Sequence, residues 1–241
     1  MDAERSVLVL QHVACETLGT IEGTLHAGGL CPQYIRVHAG EPVPSQIGNA
    51  AGLIVLGGPM SVYEYDRLPH LMQEMRLIGS ALGSHRPVLG ICLGSQLLAH
   101  VLGSKVRAGP RKEIGWDDVT LSESTSVDPL FRTAPARFTG FHWHGDVFDV
   151  PAQATCLASS DMTDCQAFRY GQNAYGILFH LEVTEPQIDK MVAAFEDELT
   201  AAGVNVPAML SQSKTNLPQL TALGQQVFGE WAKLAAGVSI A

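Results

Sequence analysis

The stretch Pro87–His100, PVLGICLGSQLLAH, decides how the chain is read. A short apolar run, PVLGICL (87–93), passes through the turn GICLG into a helical pattern, SQLLAHVLG. A buried strand that runs straight into a helix is the building unit of a parallel α/β sheet. Cys92 stands at the tip of the turn, in the frame G-x-C-x-G. With serine in place of cysteine this frame is the nucleophile elbow, whose glycines let the backbone bend sharply and keep the tip uncrowded. At a helix N-terminus, free N–H groups and the macrodipole favour an anion, which predicts a lowered thiol pKa. The amide of Leu93, next in the chain, suits an oxyanion at the same spot. The bland alternative is a buried strand cysteine beside a tight turn, because free cysteine is among the most buried residue types.

The alternation continues on both sides. SVLVLQHV (6–13), YIRVHAG (34–40) and GLIVLGGP (52–59) read as buried strands, and Leu68, Leu71, Met72, Met75, Ile78 and Leu82 mark one face of a helix before Pro87. This order predicts a three-layer α/β/α fold with a mostly parallel central sheet, its ligands bound beyond the carboxyl ends of the strands. From about residue 103, the segments KVRAG, IGWDDVTLS, ARFTGFHWHGDVF, TCLASS, QAFRY and AYGILFHLEV predict an antiparallel extension of the same sheet. Thr184 and Gln187 fit a capping box with Pro186 in the first turn, and Ile188, Met191, Val192, Phe195 and Leu199 share a face of the helix that follows. VNVPAMLSQSKTN reads as a loop before a last helix at roughly 217–235. Residues 1–203 are thus expected to form one domain, with 204–241 a C-terminal loop and helix docked on it or serving a dimer contact.

With 241 residues, 46% of them hydrophobic, the chain can bury a full α/β core. Its net charge of −9, with 15 basic against 24 acidic residues and no basic run, argues against nucleic acid or anionic membrane as partner. MDAERSVLVLQHV is no signal peptide, as Asp2 and Glu4 spoil the basic region, and no apolar run approaches the ~20 residues of a membrane span. Five cysteines without metal-like spacing suggest a cytoplasmic protein with free thiols.

A nucleophile needs a base, and the base an orienting group. ILFHLEVT places His180 and Glu182 two apart on an expected strand, so both leave one face, and Glu182 can hold one ring nitrogen while the other faces Cys92. In LIVLGGP, Gly57 and Gly58 end a strand with unhindered N–H groups, a second oxyanion donor.

With GICLGSQ, GGP and FHLE in this order, the chain resembles class I (triad) glutamine amidotransferases over about residues 6–200. EIGW (113–116) and FHWHGD (141–146) make it most similar to the free-standing, GMP-synthase-like members, with a flavodoxin-like fold. The resemblance implies that Cys92 attacks the side-chain amide of glutamine to form a γ-glutamyl thioester. His180 would carry the proton to ammonia and then activate water, with Glu182 orienting it. It gives Gly58 and Leu93, with or without Gly57, to the oxyanion. It gives Gln96 to the glutamine and His144, Gly145 and Asp146 to the substrate's amino-acid end. It implies no cofactor and no metal. Leu181 departs from the family's frequent proline between His and Glu. No Walker-type or pyrophosphatase loop is present. Either a separate synthetase subunit accepts the ammonia, or the protein is a stand-alone γ-glutamyl hydrolase, peptidase or transferase.

Two rivals stand beside this reading. His142, His144 and Asp146 spell H-x-H-x-D, a run similar to that of metal-dependent hydrolases. A non-catalytic sensor could bind a γ-glutamyl metabolite or a partner protein. His12, His26, His38, His70, His85 and His100 read as surface or helix histidines, and Cys15, Cys31, Cys156 and Cys165 as spectators. Trp116 is expected at the site's edge, and Tyr63 and Tyr65 on a loop covering it.

Overall fold

The computed structural model describes residues 5–238; Asp2, Glu4 and Ala241 lie outside them. Among the described residues one nine-stranded sheet runs through the molecule. Its parallel half consists of β1 (Arg5–Gln11), β2 (Leu30–Arg36), β3 (Gly52–Val55), β4 (Val88–Ile91) and β9 (Ala174–Ile177). The antiparallel extension consists of β5 (Val106–Leu121), β6 (Arg137–Phe148), β7 (Ala154–Ser159) and β8 (Ala167–Tyr170). The order across the sheet is β2-β1-β3-β4-β9-β8-β7-β5-β6. The central strands β3, β4 and β9 are buried at every position, as strands covered on both faces must be.

Alternation along these strands separates two cores. Val7, Val9, Ile54, Leu89 and Ile91 face one layer, while Leu8, Leu10, Leu53, Val55 and Val88 face the other. The first layer contains α1 (Thr20–Ala27), α4 (Glu185–Ala194) and α6 (Val206–Ala235). The second contains α2 (Pro69–Gly83) and α3 (Leu93–Val101). This is the flavodoxin-like three-layer arrangement.

The structure departs from the sequence reading in three places. VNVPAMLSQSKTN is not a loop. From Val206 on it is the first part of the 30-residue α6, capped by the Asn205 side chain accepting from the Ala208 N–H at 3.1 Å. Pro207 falls in the first turn, where a missing N–H costs nothing, so the Asn-Val-Pro signal starts the helix. The single helix expected after Thr184 is broken at Phe195, whose ψ of 33° separates α4 from α5 (Glu196–Ala201). There the Phe195 ring packs 5.9 Å from that of Trp143. Finally, β9 ends at Ile177, and His180 continues only as an isolated bridge to Phe141, its N–H donating to Phe141 O at 2.7 Å.

No helix among the described residues is long and apolar enough to cross a membrane.

Candidate active site

Four chain segments leave the parallel half at its carboxyl edge, after β1, β3, β4 and β9, and there they assemble a site. Cys92 is the N-cap of α3, at φ 49° and ψ −108°. A non-glycine residue there carries strain of about 1–3 kcal/mol, which persists only because the surroundings fix it. Its N–H donates to Ile177 O at 2.8 Å, and its carbonyl accepts from Ser95 Oγ at 2.6 Å and from the N–H groups of Ser95 and Gln96. The flanking glycines serve close approach more than flexibility. A Cβ on Gly90 would meet Gly94 O at 2.4 Å, and one on Gly94 would meet Val55 O at 2.0 Å. Leu93 opens the helix, so its N–H has no intrahelical acceptor.

His180 Nδ1 lies 2.6 Å from Glu182 Oε1, both residues buried. Among the described residues its Nε2 has no hydrogen-bond partner, and the Cys92 thiol donates instead to Trp143 O at 3.5 Å. Ring and thiol are nevertheless close enough to perturb each other's ionisation. Burial pushes the Cys92 thiol up, and the contact with His180 only partly offsets it. The lowered pKa expected from the helix N-terminus is therefore overturned by desolvation. Burial works against a charged His180, but the Glu182 carboxylate outweighs it and raises the imidazole well above its ordinary value.

A cavity of about 220 Å³ opens at Cys92 and is lined by Gly58, Gln96, His144, Gly145 and Asp146 among others. The residues singled out in the sequence thus converge. Gln96 Nε2 donates to Asp146 O at 3.2 Å, and Tyr63 Oη donates to Asp146 Oδ1 at 3.2 Å, which ties the loop after β3 to the site. Tyr65 instead neighbours the His100 ring, at 6.4 Å. Trp116 donates from Nε1 to Ser213 Oγ at 3.0 Å and lines a neighbouring cavity of about 580 Å³.

The H-x-H-x-D run does not assemble: His142 and His144 gather with Glu113, while Asp146 belongs to the Cys92 cavity. Ligand atoms of Glu113, His142 and His144 lie within 4.8 Å of one another. However, Glu113 Oε1 already accepts from Ser160 Oγ at 2.6 Å. Its Oε2 accepts from Thr163 Oγ1 at 2.6 Å, Gln166 Nε2 at 2.9 Å and His144 Nε2 at 3.1 Å. These donors hold the Glu113 carboxyl at about 2 despite its burial. Burial and the neighbouring His144 lower His142 to about 4. A carboxylate with four donors is a structural hub first.

Sequence reasoning missed three groups. His12, expected as a surface or helix histidine, is buried beyond the end of β1, with Nδ1 2.9 Å from Gly57 O and Nε2 2.7 Å from Glu74 Oε2. Glu16 is buried against Gly57 and lines the Cys92 cavity; burial raises its pKa, opposed first by His180. Glu198 accepts from Trp143 Nε1 at 3.0 Å and pairs with Lys112 at the rim. The signal for the first two was available: QHVACE follows directly on a strand, at the edge where ligands bind.

The family model for glutamine amidotransferase class-I matches residues 30–197. The glutamine amidotransferase-like protein YfeJ of Salmonella typhimurium is 34% identical over 194 residues, which cover 79% of this chain and 81% of that protein. The glutamine-hydrolysing GMP synthase of Thermomicrobium roseum is 37% identical over 144 residues, 58% of this chain but only 25% of the synthase. A crystal structure of a glutamine amidotransferase from Thermotoga maritima superposes with a TM-score of 0.87 at 32% identity, covering 96% of this chain and 99% of that one. A glutamine amidotransferase from Methylobacillus flagellatus superposes at 0.86 with 26% identity over 99% of this chain and 97% of that one. With fold, elbow and sequence in agreement, the chain belongs to the class I glutamine amidotransferase family.

Proposed function

We propose that this protein hydrolyses a γ-glutamyl amide, glutamine foremost, through a γ-glutamyl thioester on Cys92. The reading is carried by one observation: Cys92 is held at a strained elbow beside a His180 whose Nε2 is unpartnered and whose Nδ1 is fixed 2.6 Å from Glu182. Sulfur attacks the amide carbon and its proton passes to His180 Nε2. The tetrahedral oxyanion is met by the N–H groups of Leu93 and Gly58. His180 returns the proton to nitrogen as the C–N bond breaks, and then takes one from the water that releases glutamate. Gly57 admits the close packing beside Cys92. Gln96, His144, Gly145 and Asp146 hold the glutamyl part, since they line the cavity into which Cys92 opens.

Ammonia released here would be passed to an acceptor on a separate synthetase subunit, or be lost to water. The chain spans about a quarter of the GMP synthases it matches, so their full reaction stays theirs. The deciding experiment assays glutamate release from glutamine and a γ-glutamyl amide panel, together with labelling by a glutamine-like diazoketone. One label per chain at Cys92, with neither label nor turnover in Cys92→Ala, is expected. Full labelling or turnover of Cys92→Ala would remove the nucleophile assignment.

A further inference from the structure

Glu16 is the anomaly of the site. It is only 8% exposed, and its main-chain oxygen is held by Gln11 Nε2 at 3.1 Å. Its carboxyl, however, makes no hydrogen bond or ion pair with any described residue, and it faces the Cys92 cavity. Room for it exists because position 57 is glycine. A Cβ there would lie 1.9 Å from Glu16 Oε2 and 3.4 Å from Cys92 Cβ, so the carboxyl group sits beside the nucleophile. Among the described residues the one lysine lining the cavity, Lys112, is paired with Glu198 and does not neutralise Glu16. The carboxyl is thus open to the cavity and not sealed in the core, and a donor that enters the cavity can pair with it.

The position tells which donor. The charged groups that act on Glu16 are His180 first, then Glu182, His12 and Glu198. Sharing the Gly57 side of the cavity with Cys92, its carboxyl faces the carbon that sulfur would attack and the nitrogen bound to that carbon. Gln96 and Asp146, joined at 3.2 Å, hold another wall of the cavity. We propose that Glu16 accepts a hydrogen bond from the leaving nitrogen of the substrate, and so selects γ-glutamyl amides, including those of primary amines, over γ-glutamyl esters. The proposal rests on Cys92 as nucleophile. When the adduct collapses, the C–N electron pair stays on nitrogen and the proton comes from His180. Glu16 exchanges no atom; it holds an N–H from the bound state through the adduct.

The test compares glutamine, γ-glutamyl methylamide and γ-glutamyl methyl ester in wild type, Glu16→Gln and Glu16→Ala, with thermal melts confirming the fold. Amide kcat/KM should fall about 10- to 100-fold in Glu16→Ala, the worth of a hydrogen bond to a charged group. The loss should be smaller in Glu16→Gln, whose carbonyl can still accept, while the ester changes less than about threefold. Diazoketone labelling of Cys92 should persist in both variants. Equal losses for amide and ester would put Glu16 on the α-ammonium the two share, and would overturn the proposal, as would no loss for either. If wild type takes no label and cleaves nothing, the nucleophile falls and this proposal with it. Labelling with amide cleavage indifferent to Glu16 sinks this proposal alone.

Discussion

His12 is bonded to the carbonyl of Gly57 at 2.9 Å, and this bond orients the peptide whose other end is the Gly58 N–H. The described chain has no cis peptide, so that N–H points away from the Gly57 oxygen and from His12. On its far side, His12 meets Glu74 at 2.7 Å, and Glu74 takes a second bond from His70 Nδ1 at 2.9 Å. Both neighbours of the His12 ring are acceptors, so both ring nitrogens carry protons. Burial opposes this charge, but Glu74 outweighs it and raises the His12 pKa. A charged donor on one end of a peptide polarises the donor on the other.

If Gly58 serves the oxyanion, His12→Gln is expected to lower kcat for glutamate release about 10- to 100-fold, less than the roughly 100- to 1000-fold for outright loss of an oxyanion donor, since the Gly58 N–H stays in place. Iodoacetamide alkylation of Cys92 should be unchanged. Wild-type turnover in this variant would detach the dyad from catalysis. Because folding raises the His12 pKa, the stability gap between wild type and His12→Gln should be full below about pH 6.5 and should close as pH rises through the folded-state value, as denaturant titrations at several pH values would show.

Burial raises the Cys92 thiol, so at neutral pH Cys92 rests as a thiol, and in the proposed mechanism its proton leaves to His180 only as sulfur attacks. Alkylation of Cys92 should keep rising through pH 9 instead of levelling near neutrality. A stopped-flow pH series that plateaus below pH 7 would contradict this. Glu182→Gln should lower the pKa of His180 and move the profile to lower pH.

Two glycines should respond in opposite ways. A methyl at Gly94 would meet the Val55 carbonyl oxygen at 2.0 Å, and backbone cannot move aside, so Gly94→Ala should cost about 3 kcal/mol or more. At Gly57 the obstacle is the far end of the Glu16 side chain, which can swing away. Gly57→Ala should keep its melting temperature within a few degrees while losing amide turnover. Equal melting temperatures for Gly94→Ala and wild type would refute the packing argument.

The Glu113 carboxyl, held at about 2 by His144, Ser160 and Thr163, gives the fold an acid-sensitive element. Its pKa is depressed on folding, so its stabilisation, up to about 3 kcal/mol, is present at neutral pH and is lost as pH falls from about 5 towards 2. In Glu113→Gln the stability curve should be flatter over that window. An acid transition identical to wild type would assign the loss to other carboxylates.

The sequence by itself determined the local pieces. Fully apolar runs at 52–55 and 88–91 specify central strands, and G-x-C-x-G specifies an elbow, because both depend on neighbours along the chain. His180 and Glu182 were legible for the same reason, being two residues apart. The start of α6 was misjudged although its Asn205 cap and Pro207 were in plain view, since the polar run after them masks a helix whose apolar stripe is filled in by packing. Their place just after β1 put His12 and Glu16 at the carboxyl edge, but only the tertiary structure could set them against Gly57, some forty positions away in the chain, and reverse the ionisation expected of Cys92. Desolvation and long-range contact are properties of the packed fold, and no spacing in the chain encodes them directly.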